Sequence, residues 1–169
     1  MTLRLTPVVL ALAMIAGCAQ QRIEQLEEGV STETQVRQQF GEPVTVVTLA
    51  DGSRVFEYPR QPEGQTNYFI TLGPDGKMSS LRQVLTEANF AKVTTGMAQH
   101  DVRALLGRPA RTQRFDLKRE EVWEWRFQGP EGAPFGRRNR VFSVTFDDAG
   151  RVTTTSVGDD PRETQIGGH

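Results

Sequence analysis

Few residues in this chain could do chemistry, and they stand far apart. There is one cysteine, Cys18, and two histidines, His100 and His169. A thiolate is a nucleophile and a metal ligand, and an imidazole is a base near neutral pH. Brought together, they could form a nucleophilic pair. The spacing does not favour this. Cys18 follows directly on an apolar run, and His169 is the last residue of the sequence. His100 precedes Asp101, which could orient it as a base. Adjacent residues on a helix do not face one another, however. The pair reads as a polar helix start, with Asp101 favoured by the helix dipole. No Cys/His spacing fits a metal site, and no glycine-rich loop fits a phosphate. The acidic pairs Glu27-Glu28, Glu120-Glu121, Asp147-Asp148 and Asp159-Asp160 fall at expected helix ends, turns or the tail. There they read as solvated charges. The expectation is a non-enzyme with no catalytic residue, no metal and no cofactor.

Cys18 has a different use. The start of the chain carries Arg4, then an apolar run from Val8 to Ile15, then the small residues Ala16 and Gly17. Those are the three parts of a secretory signal. The run is shorter than the roughly 20 apolar residues needed to cross a bilayer. Ile15-Ala16-Gly17-Cys18 resembles the lipobox of bacterial lipoproteins. The resemblance implies cleavage before Cys18, a diacylglyceryl group on its sulfur and, in many species, a further acyl chain on its amine. Several chains matter, because each buried methylene contributes about 0.8 kcal/mol and a single chain holds only marginally. Residues 1–17 are then signal, and 18–21 a lipidated tether. A sole cysteine makes no internal disulfide, so the fold must rest on its core. Ala19 follows the cysteine, where an Asp commonly retains enterobacterial lipoproteins in the inner membrane. The chain is expected at the outer membrane, lipid-anchored and facing the periplasm.

Composition adds mainly exclusions. The 20 basic and 21 acidic residues nearly balance, so bulk charge gives no reason to expect nucleic acid. About 150 residues remain after the signal, enough for one domain or two very small ones. The segment 159–169 is polar, contains Gly167-Gly168, and is expected to be a disordered tail.

What could position a functional surface is an internal repeat. Val36-Arg37, Phe40-Gly41 and Pro43 recur as Val102-Arg103, Leu106-Gly107 and Pro109. Val55-Phe56-Glu57-Tyr58 recurs as Val122-Trp123-Glu124-Trp125. Tyr68 to Leu72 recurs as Phe142 to Phe146, each followed four residues later by a turn glycine, Gly76 or Gly150. Three ordered matches are a repeat signature.

The elements follow from spacing. Val36 and Phe40 share a helical face, as do Val102 and Leu106. Gly41 and Gly107 should cap those helices in the left-handed conformation, and Pro43 and Pro109 forbid continuation. Shorter helices are expected before them, from Arg22 to Glu28 and from Thr86 to Val93. Asp51-Gly52, Asp75-Gly76 and Asp148-Ala149-Gly150 are hairpin turns. Between them apolar residues alternate, so one sheet face is buried and the other is free. The expected class is α+β: two tandem helix-helix-antiparallel-sheet units, 22–85 and 86–158, with helices on one face of each sheet.

Phe90 to Met97, leading into Asp101 to Pro109, resembles the core motif of the SmpA/OmlA (BamE-like) family of small outer-membrane lipoproteins. The family pattern is a Gly-Met, a helix with Val and Leu-Leu, then Gly-x-Pro. The second unit matches it. The first has Gly29-Val30 in place of Gly-Met and one extra residue before Val36. The tandem arrangement is also similar to the β-lactamase-inhibitor-protein fold. The first resemblance implies a role beside the machine that inserts β-barrel proteins. The second implies an inhibitor or sequestering binder of an enzyme, acting through the exposed sheet face. Fold alone does not choose between them.

Two features could form a protein-binding surface. Trp123, Trp125 and Phe127 are either sheet core or an aromatic anchor. The insertion from Gln128 to Asn139 carries Phe135, Arg137 and Arg138, with Arg140 just beyond. It is either a solvated hairpin loop or a basic site for anionic headgroups or an acidic partner. The partners expected are the membrane, through Cys18, and a protein, with the barrel-assembly machine as the candidate. No small-molecule substrate is evident.

Overall fold

The computed structural model describes residues 25–129 and 138–164. In chain order these form α1 (Glu33–Phe40), β1 (Thr45–Thr48), β2 (Arg54–Pro59), β3 (Asn67–Leu72) and β4 (Met78–Gln83). Then come α2 (Glu87–Phe90), α3 (Gln99–Leu106), β5 (Arg111–Phe115), β6 (Glu120–Gln128), β7 (Asn139–Phe146), β8 (Val152–Asp159) and α4 (Pro161–Thr164). The strands make two antiparallel four-stranded sheets, β1-β2-β3-β4 and β5-β6-β7-β8. The class is α+β, as the alternation implied.

Local sequence explains where the main helices begin and end. Thr32 caps α1 reciprocally with Gln35, satisfying two backbone donors at the helix start. Ala98 has no side chain to cap α3; the Gln99 N–H donates to the Gly150 carbonyl at 3.0 Å, as the Glu33 N–H of α1 does to Gly76 at 3.1 Å. Both helices end at glycines with positive φ, Gly41 at 82° and Gly107 at 74°. Their ψ values of −161° and −169° are not the left-handed helical cap expected from sequence. This region is open essentially to glycine alone. It directs the chain straight into the extended segments at Pro43 and Pro109.

Each sheet buries one face under its helix. Val36 and Phe40 of α1 pack on Phe56, Tyr58, Ile70, Leu72 and Met78. Val102 and Leu106 of α3, with Phe90 and Val93, pack on Trp125, Phe127, Phe142, Val144, Phe146 and Val152. Each fully buried Val or Leu here contributes roughly 1.5–3 kcal/mol. Val84 and Leu85, which follow β4, join the second core rather than the first.

The two units use the same hydrogen bonds at corresponding places. Gly29 N–H donates to Met78 O at 2.7 Å, and Gly96 N–H to Val152 O at 2.8 Å. Met78 N–H donates to Ser31 O, and Val152 N–H to Met97 O. Val44 N–H reaches Glu57 O at 2.9 Å, and Ala110 N–H reaches Glu124 O at 2.8 Å. Both β3–β4 and β7–β8 shift register just before their turns, at Thr71/Leu72 and Thr145/Phe146. These pairs locate the extra residue of the first unit. Ser31 stands where Met97 does, so Val30 is the insertion, and it projects into solvent.

Two expectations change. The helix expected from Arg22 to Glu28 is turn and irregular chain over its described part, 25–28, with residues 22–24 outside the described residues. Leu26 still packs against the first core. The tail expected from residue 159 is ordered at its start. Asp159 ends β8, Asp160 is buried in an ion pair with Arg126, and α4 follows. Residues 165–169, including His169, lie outside the described residues, as do Cys18 and the signal.

Candidate partner-binding surfaces

The aromatic stripe of β6 belongs to the core. Trp125 is 0% exposed, and its Nε1–H donates to the Gly107 carbonyl at 3.0 Å. It cannot meet a partner in this fold, which corrects its reading as a binding anchor. Trp123 is half-buried on the same helix-covered face, against Trp125 and Phe146. Its Nε1–H donates to Glu121 Oε1 at 2.8 Å. Alternation along β6 therefore turns both tryptophans toward the helices. The opposite face carries Val122, Glu124 and Arg126 beside Gln113, Ser143 and Thr145. Among the described residues, Phe115 is the aromatic side chain on that face.

Of the insertion residues, Phe135 and Arg137 lie outside the described residues. Arg138 is exposed, and its carbonyl accepts the Gly129 N–H at 2.9 Å, closing the base of the hairpin. Arg140 is half-buried in β7 opposite Phe127 and Asp159. Among the described insertion residues, Arg138 is the exposed cation.

His100 and Asp101 do touch, at 3.2 Å, contrary to the expectation for helix neighbours. Both sit in the exposed first turn of α3, where side chains can swing together. Among the described residues no third group completes a catalytic set, and no cluster of His, Cys, Asp or Glu could hold a metal. No described helix is long and apolar enough to cross a membrane. Among the acidic pairs, Asp148 does take a solvated turn position, where Arg119 and then Arg114 hold its carboxyl below the usual range. Asp160 does not, being buried against Arg126.

The structure adds a group that the sequence reading passed over. Glu57 lies on the face of the first sheet away from α1, yet is only 5% exposed. It accepts a hydrogen bond from Arg103 Nη1 at 2.5 Å and one from the Arg108 N–H at 2.7 Å. Beside it, buried Asn67 donates through Nδ2 to the carbonyls of Leu106 and Arg108. Phe69, on the same face, packs against the second core. The back of the first sheet is therefore covered by the C-terminal end of α3. The β2–β3 loop extends the contact. The Gln61 side chain bonds both the carbonyl and the N–H of Arg126. Pairing of β5 with β6 stops at Glu124, so the Gln61 amide takes groups that β5 leaves unpaired. Arg162 Nη2 donates to the Pro62 carbonyl at 2.9 Å. The sequence signal was a glutamate between aromatic residues in mid-strand, where a solvated charge would be out of place.

What remains accessible on the first sheet is its edge. Among the described strands β1 is hydrogen-bonded to β2 alone, and all four of its residues are exposed. Val44 (56%), Val46 (45%), Val47 (51%) and Leu49 (43%) bring four large apolar side chains to six consecutive residues. The corresponding strand of the second unit, β5, reads Arg111-Thr112-Gln113-Arg114-Phe115. A second exposed apolar point is Leu117, at the tip of the β5–β6 hairpin.

Ion pairs hold α1 above its sheet. Arg54 Nη2 contacts Glu33 Oε2 at 2.5 Å and Arg37 Nε contacts Glu33 Oε1 at 2.9 Å. The Arg54 hydrogen bond, helped by Arg37 and opposed by burial, holds the Glu33 carboxyl below its ordinary range. Beneath them, burial pushes the Tyr58 hydroxyl up to about 12.

No curated protein matches this chain. Among solved structures it is similar to a protein named as the osmotically inducible lipoprotein OsmE, at 22% identity over 51% of this chain and 92% of that one, with a TM-score of 0.36. It is similar to the DUF4309-family protein YjgB of Bacillus subtilis subsp. subtilis str. 168, at 16% identity over 85% and 90%, with a TM-score of 0.32. It is similar to a protein named as a β-lactamase inhibitor from Streptococcus mutans, at 11% identity over 76% and 83%, with a TM-score of 0.31. Residues 83–156, which hold α2, α3 and nearly all of the second sheet, match the family model of the outer membrane protein assembly factor BamE domain.

Proposed function

We propose that this chain is a lipid-anchored envelope protein that works as a non-catalytic protein-interaction module in outer-membrane protein assembly. The match of residues 83–156 to the BamE domain carries the reading. The signal-like start and Cys18 support it from the other end of the chain. Lipid on Cys18 would hold the fold close to the membrane, because only six residues separate it from Gln25, where the described chain begins. Extended, they reach about 20 Å. Ala19 after the cysteine favours the outer membrane, and secretion favours the periplasmic side. Trp123 stays a minor contact candidate and Arg138 a cationic one.

The test is copurification of the lipidated, C-terminally tagged protein from its own envelope in mild detergent after crosslinking. The expected result is capture of barrel-assembly components, lost when Cys18→Ser leaves the protein unanchored. Failure to capture them, together with normal barrel-protein levels in a deletion strain, overturns the proposal.

A further inference from the structure

The two sheets are built alike but end differently. A strand at a sheet edge offers unpaired N–H and C=O groups, and natural proteins guard such edges with charges, proline or short length. β5 has its guards, Arg111 and Arg114. β1 has none. From Pro43 to Ala50 the chain carries no charge, and the apolar side chains project on both faces. Val46 lies opposite Phe56 on the α1 side, and Val47 opposite Val55 on the back. Charge appears only at the two ends, both acidic: Glu42, which is exposed and paired on one side with Arg37, and Asp51, whose Oδ1 accepts the Ser53 N–H.

We infer that the free edge of β1 takes an extended segment of another polypeptide by strand addition, and that this segment is apolar at its centre and basic at its flanks. Main-chain hydrogen bonds to β1 would supply the affinity, and alternate side chains the selectivity. Val44, Val46, Val47 and Leu49 would cover apolar groups on both faces of the incoming strand. Glu42 and Asp51 would meet its cationic ends. A second copy of this chain fits the site less well. Its own edge has the same acidic ends and brings no cation to them, since its Arg37 is already held by Glu33 and Glu42. The edge from Val44 to Leu49 is about 20 Å long and about 10 Å deep. The contact is then on the order of 400 Å² over both partners, well short of the roughly 1,000 Å² that a stable dimer needs. A small site of this kind suits a segment held briefly and released.

The inference rests on the proposed function, since it names what the interaction module would hold, but the two fail separately. Envelope copurification tests the function. The edge is tested in vitro on the full chain in mild detergent. The probe is a fluorescent peptide, Lys-Lys-Thr-Val-Thr-Val-Thr-Val-Lys-Lys, read by anisotropy. Val46→Lys and Val47→Lys each place a guard on an exposed position, so the fold should survive, as circular dichroism would check. Each is expected to weaken binding about tenfold or more. A peptide with Glu in place of its flanking Lys should bind more weakly, and one N-methylated at the N–H groups that face β1 should not bind. Equal binding by the parent and both variants overturns the inference, as does equal binding of the N-methylated peptide. Self-association through β1 that the peptide cannot displace would overturn it too.

Discussion

Replacing Glu57 by Ala removes a carboxylate that joins the two units. The carboxylate accepts from the Arg103 guanidinium at 2.5 Å and the Arg108 N–H at 2.7 Å. Hydrogen bonds to a charged group contribute about 1.5–3 kcal/mol each when buried. The Arg103 side chain is 31% exposed, so water recovers part of that loss. The Arg108 N–H has less access to a substitute. Glu57→Ala should therefore cost about 2–3 kcal/mol, and Glu57→Gln, which keeps an acceptor, about 1 kcal/mol. The fold contains its own control. Glu124 occupies the corresponding place in the second sheet, but is a third exposed and 3.9 Å from Arg111. Glu124→Ala should stay within about 0.5 kcal/mol of the parent. The assay is urea unfolding of the full chain, followed by far-ultraviolet circular dichroism and by tryptophan fluorescence. Both tryptophans are in the second unit, so fluorescence follows that unit while dichroism follows both. The two curves should coincide in the parent and separate in Glu57→Ala. Combining it with Arg103→Ala should give a coupling of about 1 kcal/mol or more. Equal costs for Glu57→Ala and Glu124→Ala, or no coupling to Arg103, would refute the reasoning.

Two further outcomes follow from the same geometry. Gly41→Ala and Gly107→Ala both force a side chain to adopt a positive φ, at about 1–3 kcal/mol each. A Cβ on Gly41 meets nothing within 4 Å, whereas one on Gly107 would stand 3.0 Å from Asn67 Nδ2 and 3.1 Å from Glu57 Oε1. Gly107→Ala should therefore be the more destabilising in urea, by about 1 kcal/mol. Tyr58 bears on alkaline stability. Its hydroxyl is pushed from 10.0 up to about 12 in the folded protein, mainly by burial. The neutral form is thus favoured on folding, and its contribution is complete below about 10 and lost as pH rises through about 12. Tyr58→Phe should remove that part of the alkaline loss, as read by thermal melts across the range. An unchanged alkaline profile would count against the burial argument.

The sequence showed elements whose pattern is local. Val36 with Phe40 and Val102 with Leu106 marked helices, and alternation from Trp123 to Phe127 marked a strand with a buried face. Even the exceptional glycines were visible, although their ψ was not, because both caps begin with the same positive φ. Joining the units was harder to read. Glu57, Gln61 and Asn67 find partners 39 to 65 residues away. No periodicity encodes a contact of that range. The side of β6 on which the tryptophans lie was left open for a related reason. Alternation places Trp123 and Trp125 together, but only the packing of Val102, Leu106 and Phe142 shows that theirs is the covered face. Asp160 looked like part of a floppy tail for want of its partner, Arg126, which lies 34 residues earlier.

The covered back of the first sheet bears on how the family match applies to this chain. The matched residues, 83–156, include Arg103, Leu106 and Arg108 at the C-terminal end of α3. In this chain that end is already engaged. Glu57 takes the Arg103 guanidinium and the Arg108 N–H, and Asn67 takes the Leu106 and Arg108 carbonyls. A partner that gripped a lone domain there would have to displace a buried carboxylate and leave those groups unpaired, at several kcal/mol. A partner of the tandem chain is therefore directed elsewhere. The back of the second sheet is polar around Glu124, and its β5 edge is guarded by arginine. The first unit, outside the match, keeps the unguarded edge. The first unit thus does more than lengthen the chain: it closes one surface of the matched residues and brings the edge to which we assign strand addition.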